Sequence, residues 1–333
     1  MTNEVPDIDR AQKHAVRALW IPAAQQCAMR EETISSPGDG EVLVKTLFSG
    51  VSRGTESLVF NGKVPASEVE RMRGPNMAGE FSFPVKYGYA AVGQVIDGPG
   101  ALHRKPVFCL HPHQDLFVVP EAMVTVLPDA LPPSRAVLAA NMETALNIVW
   151  DAGVLPGDRV AVFGAGVVGA LVAYICSSIP GADILLIDRD SNRADLARRL
   201  GVPFASSARL EGEFDILINA SGAPEALAQA LEHAGQEARL VEASWYGEKS
   251  ANLPLGGAFH SKRLSIISSQ VGSVPAARRV RWNFGRRLGK ALDLLCDDRL
   301  DILISGETDF ANLADAYPGI LASPQTLCHR IRY

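Results

Sequence analysis

Gly164, Gly166 and Gly169, set in Val160-Ala-Val-Phe-Gly-Ala-Gly-Val-Val-Gly169, have the spacing in this chain that most directly specifies chemistry. Gly164 and Gly166 permit a tight backbone turn beside a pyrophosphate, and Gly169 permits the next helix to pack close to the preceding strand. Residues 160–163 supply that strand, and the helix expected from Val167 to Ser178 aims the free N–H groups of Val167 and Val168 at the phosphates. A second apolar run, Ile184-Leu-Leu-Ile-Asp188, ends in an acid 19 positions after Gly169. That is close to the spacing at which a carboxylate accepts hydrogen bonds from the adenosine ribose. The pattern predicts a bound dinucleotide. The charge of Asp188 favours NAD by opposing a 2′-phosphate, whereas Arg189 and Arg193 keep NADP open, since an Arg beside that ribose accommodates the phosphate.

The elements that must position these glycines follow from the apolar periodicity. Strands and helices alternate after residue 159: Arg159–Phe163, Asp183–Asp188, Val202–Ala205, Phe214–Ala220, Ala238–Ala243 and Leu264–Ser269 read as strands, with helices at Ser191–Leu200 and Pro224–Ala234. That order specifies a doubly wound parallel sheet. Before it, short β-like runs at His14–Ile21, Glu41–Ser49, Val92–Ile96, Pro106–Leu110 and Leu116–Val119 lie between Gly and Pro turns, and the spacing becomes helical over Leu138–Ala152. After the sheet come helices around Trp282–Cys296 and Phe310–Leu321 and a last strand, Thr326–Tyr333. A lone strand there needs a partner elsewhere, so it is expected to return to the first half. The fold class is thus α/β, with a β-rich domain over 1–145, a Rossmann domain over 146–285, and a returning segment over 286–333.

The whole chain sets limits. Its 333 residues suffice for two domains, and a net charge of −5 gives no electrostatic reason to expect nucleic acid or an anionic membrane. Residues 1 to about 13 are polar and read as a disordered lead; no secretion signal or membrane-spanning run is visible. Five scattered cysteines without a C-x-x-C pair suggest reduced thiols in the cytoplasm.

Further segments carry a family resemblance. Gly50-Val-Ser-Arg-Gly-Thr-Glu56 is similar to an early G-x-C-x-x-D/E loop, Tyr87-Gly-Tyr-Ala-Ala-Val-Gly-Gln-Val95 to a G-H-E-x-x-G-x-V segment, and Ala152-Gly-Val-Leu-Pro-Gly-Asp-Arg-Val160 to the usual lead into the nucleotide domain. With the glycine fingerprint at mid-chain, the sequence resembles the medium-chain dehydrogenase/reductase superfamily over nearly its full length. The loop and the Pro84-Val-Lys-Tyr-Gly-Tyr89 segment are most similar to the hydroxyethyl bacteriochlorophyllide dehydrogenase-like subgroup. The resemblance implies a GroES-like β-rich domain joined to the Rossmann domain, and interconversion of a secondary alcohol and a ketone on a fairly bulky small-molecule substrate.

Where zinc-dependent relatives carry metal ligands, this chain carries Ser52, Tyr89 and Ala140, and the acidic partner of the second ligand is replaced by Ala90. None is an ordinary zinc ligand, so a zinc-independent member with no metal is expected. His111-Pro-His113, in a turn after a strand, reads as structural or cleft-shaping rather than as a metal site, as does His103. Hydrogen-bond donors in a water-poor cleft must then replace the metal. Tyr89 is the first candidate donor or acid, since it occupies a ligand position; it could instead merely fill the space. Glu56 and Thr55 are candidates in the first loop, Glu56 as a base, as a ribose-orienting group, or as a turn carboxylate.

Thr144 matches the residue the family places beside the nicotinamide, while Glu143 is expected to stabilise a helix dipole and Tyr87 to pack. Ser221, Gly222, Ala243 and Ser244 follow strands and are expected to touch ribose and nicotinamide. Trp245 and Tyr246 could face a planar substrate or pack; Arg278, Arg279, Arg281, Arg286 and Arg287 read as a solvated face. Leu264–Gln270 suits strand pairing across a two-fold axis in a homodimer. Two other functions stay open at this point, an NAD(P)H-dependent quinone or enone C=C reductase and a non-catalytic nucleotide-binding scaffold.

Overall fold

The computed structural model describes residues 13–247 and 249–333; the lead over residues 1–12 lies outside them. The first half opens with β1 (Lys13–Ala23) and β2 (Gln26–Ser35), an antiparallel hairpin turned at Gln25 with φ 62°. β1 buries Val16, Ala18, Leu19 and Ile21. β2 contains Arg30, Glu31 and Glu32, a polar run without a strand signal, and among the described residues it pairs with β1 alone. β3 (Glu41–Ser52) runs straight into α1 (Arg53–Phe60), so the loop expected around residue 54 is a helix. Then follow α2 (Val69–Met72), β4 (Ala78–Gly79), β5 (Val85–Lys86), β6 (Ala91–Asp97), β7 (Pro106–Cys109), β8 (Leu116–Pro120) and β9 (Val124–Val126). β1, β2, β4 and β5 form one sheet, and a seven-stranded sheet is organised around β3 and β6.

α3 (Pro133–Ala136) and α4 (Ala139–Ala152) link the halves, and Gly153 ends α4 in the left-handed region at φ 64°. Next come β10 (Arg159–Phe163), α5 (Val167–Ser177), β11 (Asp183–Asp188), α6 (Arg193–Leu200), β12 (Phe204–Ser206), β13 (Phe214–Asn219), α7 (Pro224–Glu232), β14 (Ala234–Glu242) and β15 (Ser265–Ser268). The six strands are all parallel, in the order β12-β11-β10-β13-β14-β15. Strand order reverses between β10 and β13, and ligands of such sheets bind outside the strand C-termini at that point. α5 reads from its sequence as amphipathic, yet it is covered on most sides because α4 packs on it opposite the sheet.

The last segment contributes α8 (Phe284–Leu294), β16 (Ile304–Asp309), α9 (Leu313–Ala322) and β17 (Cys328–Arg332). β17 pairs antiparallel with β3, setting Cys328 opposite Ser52 and Ile331 opposite Ser49. One apolar core is continuous from Val92 and Phe108 of the first half, through Met142, Ala145 and Ile148 of α4, to Val160, Val162 and Leu186 of the second. Each fully buried aliphatic side chain there contributes roughly 1.5–3 kcal/mol. That core makes α4 the rigid floor between the two halves.

Candidate active site

At the switch point the chain leaves β10 through Gly164, which has φ +101° and donates its N–H to the Ile187 carbonyl at 2.7 Å. A Cβ on Gly164 would lie 2.6 Å from Ser221 Cα, and one on Gly169 would lie 1.9 Å from the Gly164 carbonyl oxygen. Both contacts are with backbone, which cannot swing aside. Gly169→Ala is therefore expected to push α5 off the sheet and abolish NADH binding; a thermal-shift titration showing a normal NADH response would refute this. At Gly166 the same construction meets nothing within 4 Å, so the space ahead of α5 is open. α5 has no side-chain cap and its first bond runs from Ala170 N to Gly166 O, which leaves the N–H groups of Val167 and Val168 pointing into that space. An anionic diphosphate fits this cradle.

Asp188 sits beside it. Its Oδ2 accepts from Ala165 N at 2.7 Å and its Oδ1 from Asp190 N at 2.9 Å, so the carboxylate braces the glycine turn and keeps lone pairs for further donors. Arg189 is exposed, and Arg193 donates to the Pro324 carbonyl at 2.6 Å, which engages it with the returning segment. On the other side of the switch point Asn219, buried at the end of β13, is a hub that the sequence reading missed. Its Oδ1 accepts from Ser221 Oγ at 2.6 Å, and its Nδ2 donates to Glu242 at 2.9 Å and Tyr246 at 2.7 Å. Glu242 in turn accepts from Ser244 N at 2.7 Å, while Gly222 N donates to Ser244 Oγ at 2.9 Å and Ala243 N to the Asn219 carbonyl at 3.0 Å. Ser221, Gly222, Ala243 and Ser244 are thereby gathered at one crevice. Two polar residues ending the apolar runs Ile216–Ile218 and Leu240–Val241, Asn219 and Glu242, were the available signal.

The substrate side is built where β3 passes into α1. Ser52 is buried and accepts from Asn141 Nδ2 at 3.2 Å, and the hydroxyls of Ser52 and Thr55 stand beside the phenol of Tyr89. Burial first, and the charge of Glu56 second, push the Tyr89 phenol up to about 12, against the pull of those two hydroxyls. Tyr89 is thus a protonated donor at neutral pH. Thr144 is half-buried one turn along α4 from Asn141, with its hydroxyl on the Ala140 carbonyl at 2.9 Å. Tyr87 is buried between Phe81 and Tyr89.

Glu56 bonds a backbone N–H, as considered for a turn carboxylate, but it is enclosed instead of facing a cleft. It is 0% exposed, its Oε1 accepts from Ser52 N at 2.7 Å, and its Oε2 accepts from His113 Nε2 at 3.0 Å and Tyr317 OH at 2.7 Å. Fully enclosed carboxylates need such donors, and a carboxylate 0% exposed and bonded to three of them is out of reach as a base. His113 continues to Ser49 at 2.8 Å and thence to Tyr333 at 3.0 Å, while His111 stacks on Phe117 and is held down at about 3 by burial. His113 and Tyr317 were legible only once β17 and α9 folded back over β3.

Two further expectations are corrected. Arg287 belongs to no solvated face: it is 2% exposed and donates to Glu143 at 3.0 Å, Asn147 at 2.5 Å and the Val271 carbonyl at 2.6 Å. Glu143 accordingly lies beyond the first turn of α4 and pairs with Arg287 instead of serving the helix dipole. Both follow from α8 packing directly on α4.

Ser52, Tyr89 and Ala140, the positions corresponding to zinc ligands, offer a hydroxyl, a protonated phenol and a methyl group, a donor set that does not suit zinc. Among the described residues no group of three His, Cys, Asp or Glu is placed to hold a metal ion, and no helix is long and apolar enough to cross a membrane.

No family model matches the chain. It is similar to the starvation-sensing protein RspB of Escherichia coli (strain K12), 24% identical over 340 residues that span 90% of this chain and 94% of that protein. A probable D-xylulose reductase A of Neosartorya fischeri is 32% identical over 143 residues, spanning 37% of this chain and 40% of that protein. Among solved structures, L-idonate 5-dehydrogenase of Escherichia coli superposes with a TM-score of 0.81 at 17% identity, covering 97% of this chain and 99% of that one. The Escherichia coli RspB structure complexed with NADH superposes with a TM-score of 0.76 at 18% identity, covering 96% and 99%. These likenesses establish the fold, a GroES-like β-rich domain joined to a Rossmann domain in the arrangement of alcohol-dehydrogenase-like oxidoreductases.

Proposed function

We propose that this chain is a zinc-independent, NAD(H)-preferring oxidoreductase of the medium-chain dehydrogenase/reductase type, interconverting a fairly bulky secondary alcohol and its ketone. The observation that supports the reading is the grouping of Ser52, Thr55, Tyr89 and Asn141, which includes two of the positions that correspond to zinc ligands in the resemblance. When bound, the nicotinamide supplies or accepts a hydride. In the reducing direction the Tyr89 hydroxyl donates its proton to the carbonyl oxygen as that hydride reaches the carbonyl carbon, giving the alcohol, and the phenolate recovers a proton from solvent. Oxidation is the reverse. Ser52 and Thr55 stabilise the phenolate, and Glu56 is a positioning residue that anchors the Ser52 backbone from behind. Thr144 and the loops at Ser221, Gly222, Ala243 and Ser244 orient the nicotinamide half. Gly164 and Gly169 shape the turn, and Asp188 takes the adenosine ribose hydroxyls in preference to a 2′-phosphate.

We assign the domains as 1–145, 146–285 and 286–333. β15, at the edge of its sheet, suits pairing with a second copy in a homodimer, and the five unpaired cysteines suit the cytoplasm. The test is a thermal-shift titration of chelator-treated protein with NADH and NADPH, followed by NADH-dependent reduction of acetophenone-like ketones with metal analysis. A larger shift with NADH and turnover undiminished by chelation are expected. Turnover that needs about one zinc per chain, or a response to NADPH alone, would overturn the zinc or the NAD part respectively.

A further inference from the structure

In the first half of the chain, the end of β2 together with β5 and β8 borders a cavity of about 430 Å³, a size that suits a small molecule. Glu41, Asn76, Lys86, His111, Gln114 and Phe117 are among the residues that line it, and none of the groups of the proposed reaction is. Gln114 is 2%, His111 6% and Lys86 8% exposed, so this polar lining is built into the fold. The Lys86 ammonium is already paired. It donates to Glu32 Oε2 and to Gln114 Oε1, each at 2.7 Å, and lies 5.7 Å from the centroid of the Trp20 ring.

Three acceptors are left over. Burial holds the His111 imidazole down at about 3, so the ring is neutral; with Nδ1 donating to the Pro112 carbonyl at 3.0 Å, Nε2 is an acceptor. Stacking on Phe117, with centroids 3.9 Å apart, fixes the plane of that ring. Asn76 uses its Nδ2 on the Leu110 carbonyl at 2.8 Å and retains Oδ1, while Glu41 uses Oε2 on Gly38 N at 2.9 Å and retains Oε1. None of these three atoms has a partner among the described residues, and no enclosed side-chain N or O atom there lacks one, so all three reach open space. The cavity is an open space that all three residues line. Of its charged lining residues, Lys86 is offset by Glu32, whereas Glu41 pairs with no Lys or Arg among the described residues.

Three acceptors and an uncompensated negative charge are matched by a ligand that carries donors and a positive charge. We infer that this cavity binds a small planar organic cation of the amidinium or guanidinium class, whose N–H groups donate to Glu41, His111 and Asn76. A planar fork of N–H donors matches a carboxylate in two bonds, and its flat face suits the stacked rings of His111 and Phe117. A carboxylate ligand would meet acceptors and the charge of Glu41, and a bare metal ion is a poorer match because no three His, Cys, Asp or Glu side chains converge among the described residues.

The test is an NMR titration of the full chain with benzamidine, benzamide and benzoate, which share a ring and differ in charge and donors. Benzamidine is expected to bind with a Kd of about 1 mM or tighter, and the other two about 10-fold or more weakly. Glu41→Gln, which keeps an acceptor for Gly38, and His111→Phe, which keeps a ring on Phe117, should each weaken benzamidine by about 10-fold while unfolding cooperatively near the wild-type midpoint. Benzoate binding as tightly as benzamidine would give the charge of the site to Lys86 and overturn the inference. Equal affinity for benzamide and benzamidine would remove the preference for a cation. Benzamidine affinity unchanged in both variants would put the ligand elsewhere, and no saturable binding in the wild type would leave the cavity without this role. None of these outcomes bears on the alcohol–ketone reading, which turnover tests.

Discussion

Tyr89→Phe is expected to lower kcat for ketone reduction by about 10²- to 10³-fold while leaving the affinity for NADH unchanged. The variant keeps the ring that packs against Tyr87 and removes only the hydroxyl that stands beside Ser52 and Thr55. Loss of a group used solely as charge develops on the substrate oxygen lowers kcat and kcat/KM together, whereas loss of a packing residue would weaken cofactor and substrate binding. The phenol stands at about 12, chiefly through burial and then through Glu56. On its account the reduction rate should stay flat from neutral pH to about pH 10, because the donor keeps its proton throughout. A variant with full kcat removes Tyr89 from the chemistry and leaves it as the filler of an emptied ligand position.

Arg287→Met should cost about 3–5 kcal/mol of stability, read as a lowered chemical-denaturation midpoint. The guanidinium satisfies Glu143, Asn147 and the Val271 carbonyl at once, and its removal strands a carboxylate that is 8% exposed. Adding Glu143→Leu should recover much of the loss, since an apolar pair avoids the desolvation that the ion pair must offset. Burial already raises the Glu143 carboxyl above its ordinary range, and the charge and hydrogen bonds of Arg287 only partly bring it back. The folded state therefore binds this proton more tightly than the unfolded one, so stability from Glu143 falls as pH rises from the ordinary carboxylate range upward. Without Arg287 that fall should steepen. A single variant as stable as wild type, with an unchanged pH slope, would show that α8 and α4 do not depend on the pair.

The nucleotide-binding half was readable along the chain because each of its requirements is local. A strand, three glycines at fixed spacing, a helix and an acid after the next strand are set by neighbours within some thirty residues, and β10, α5 and β11 have those bounds to within a residue or so. β2 was not readable, since a solvated strand needs only one partner and carries no apolar signature. Arg287 was misread for a related reason. Charge is a guide to exposure only where no buried counter-charge waits, and Glu143 lies 144 residues away.

The family resemblance implied that positions 52, 89 and 140 correspond to zinc ligands, and the sequence has a hydroxyl, a phenol and a methyl there. What those groups do depends on contacts between segments far apart in the chain. Asn141 reaches Ser52 across 89 residues, His113 reaches Glu56 across 57 and Tyr317 reaches Glu56 across 261. Hydrogen bonding and desolvation act over a few ångströms in space and carry no periodicity along the chain. Local pattern therefore specified the glycine turn and its strand and helix, while the grouping of Ser52 with Asn141, and the enclosure of Glu56 by His113 and Tyr317, came only with the packing of α4, α9 and β17 around β3.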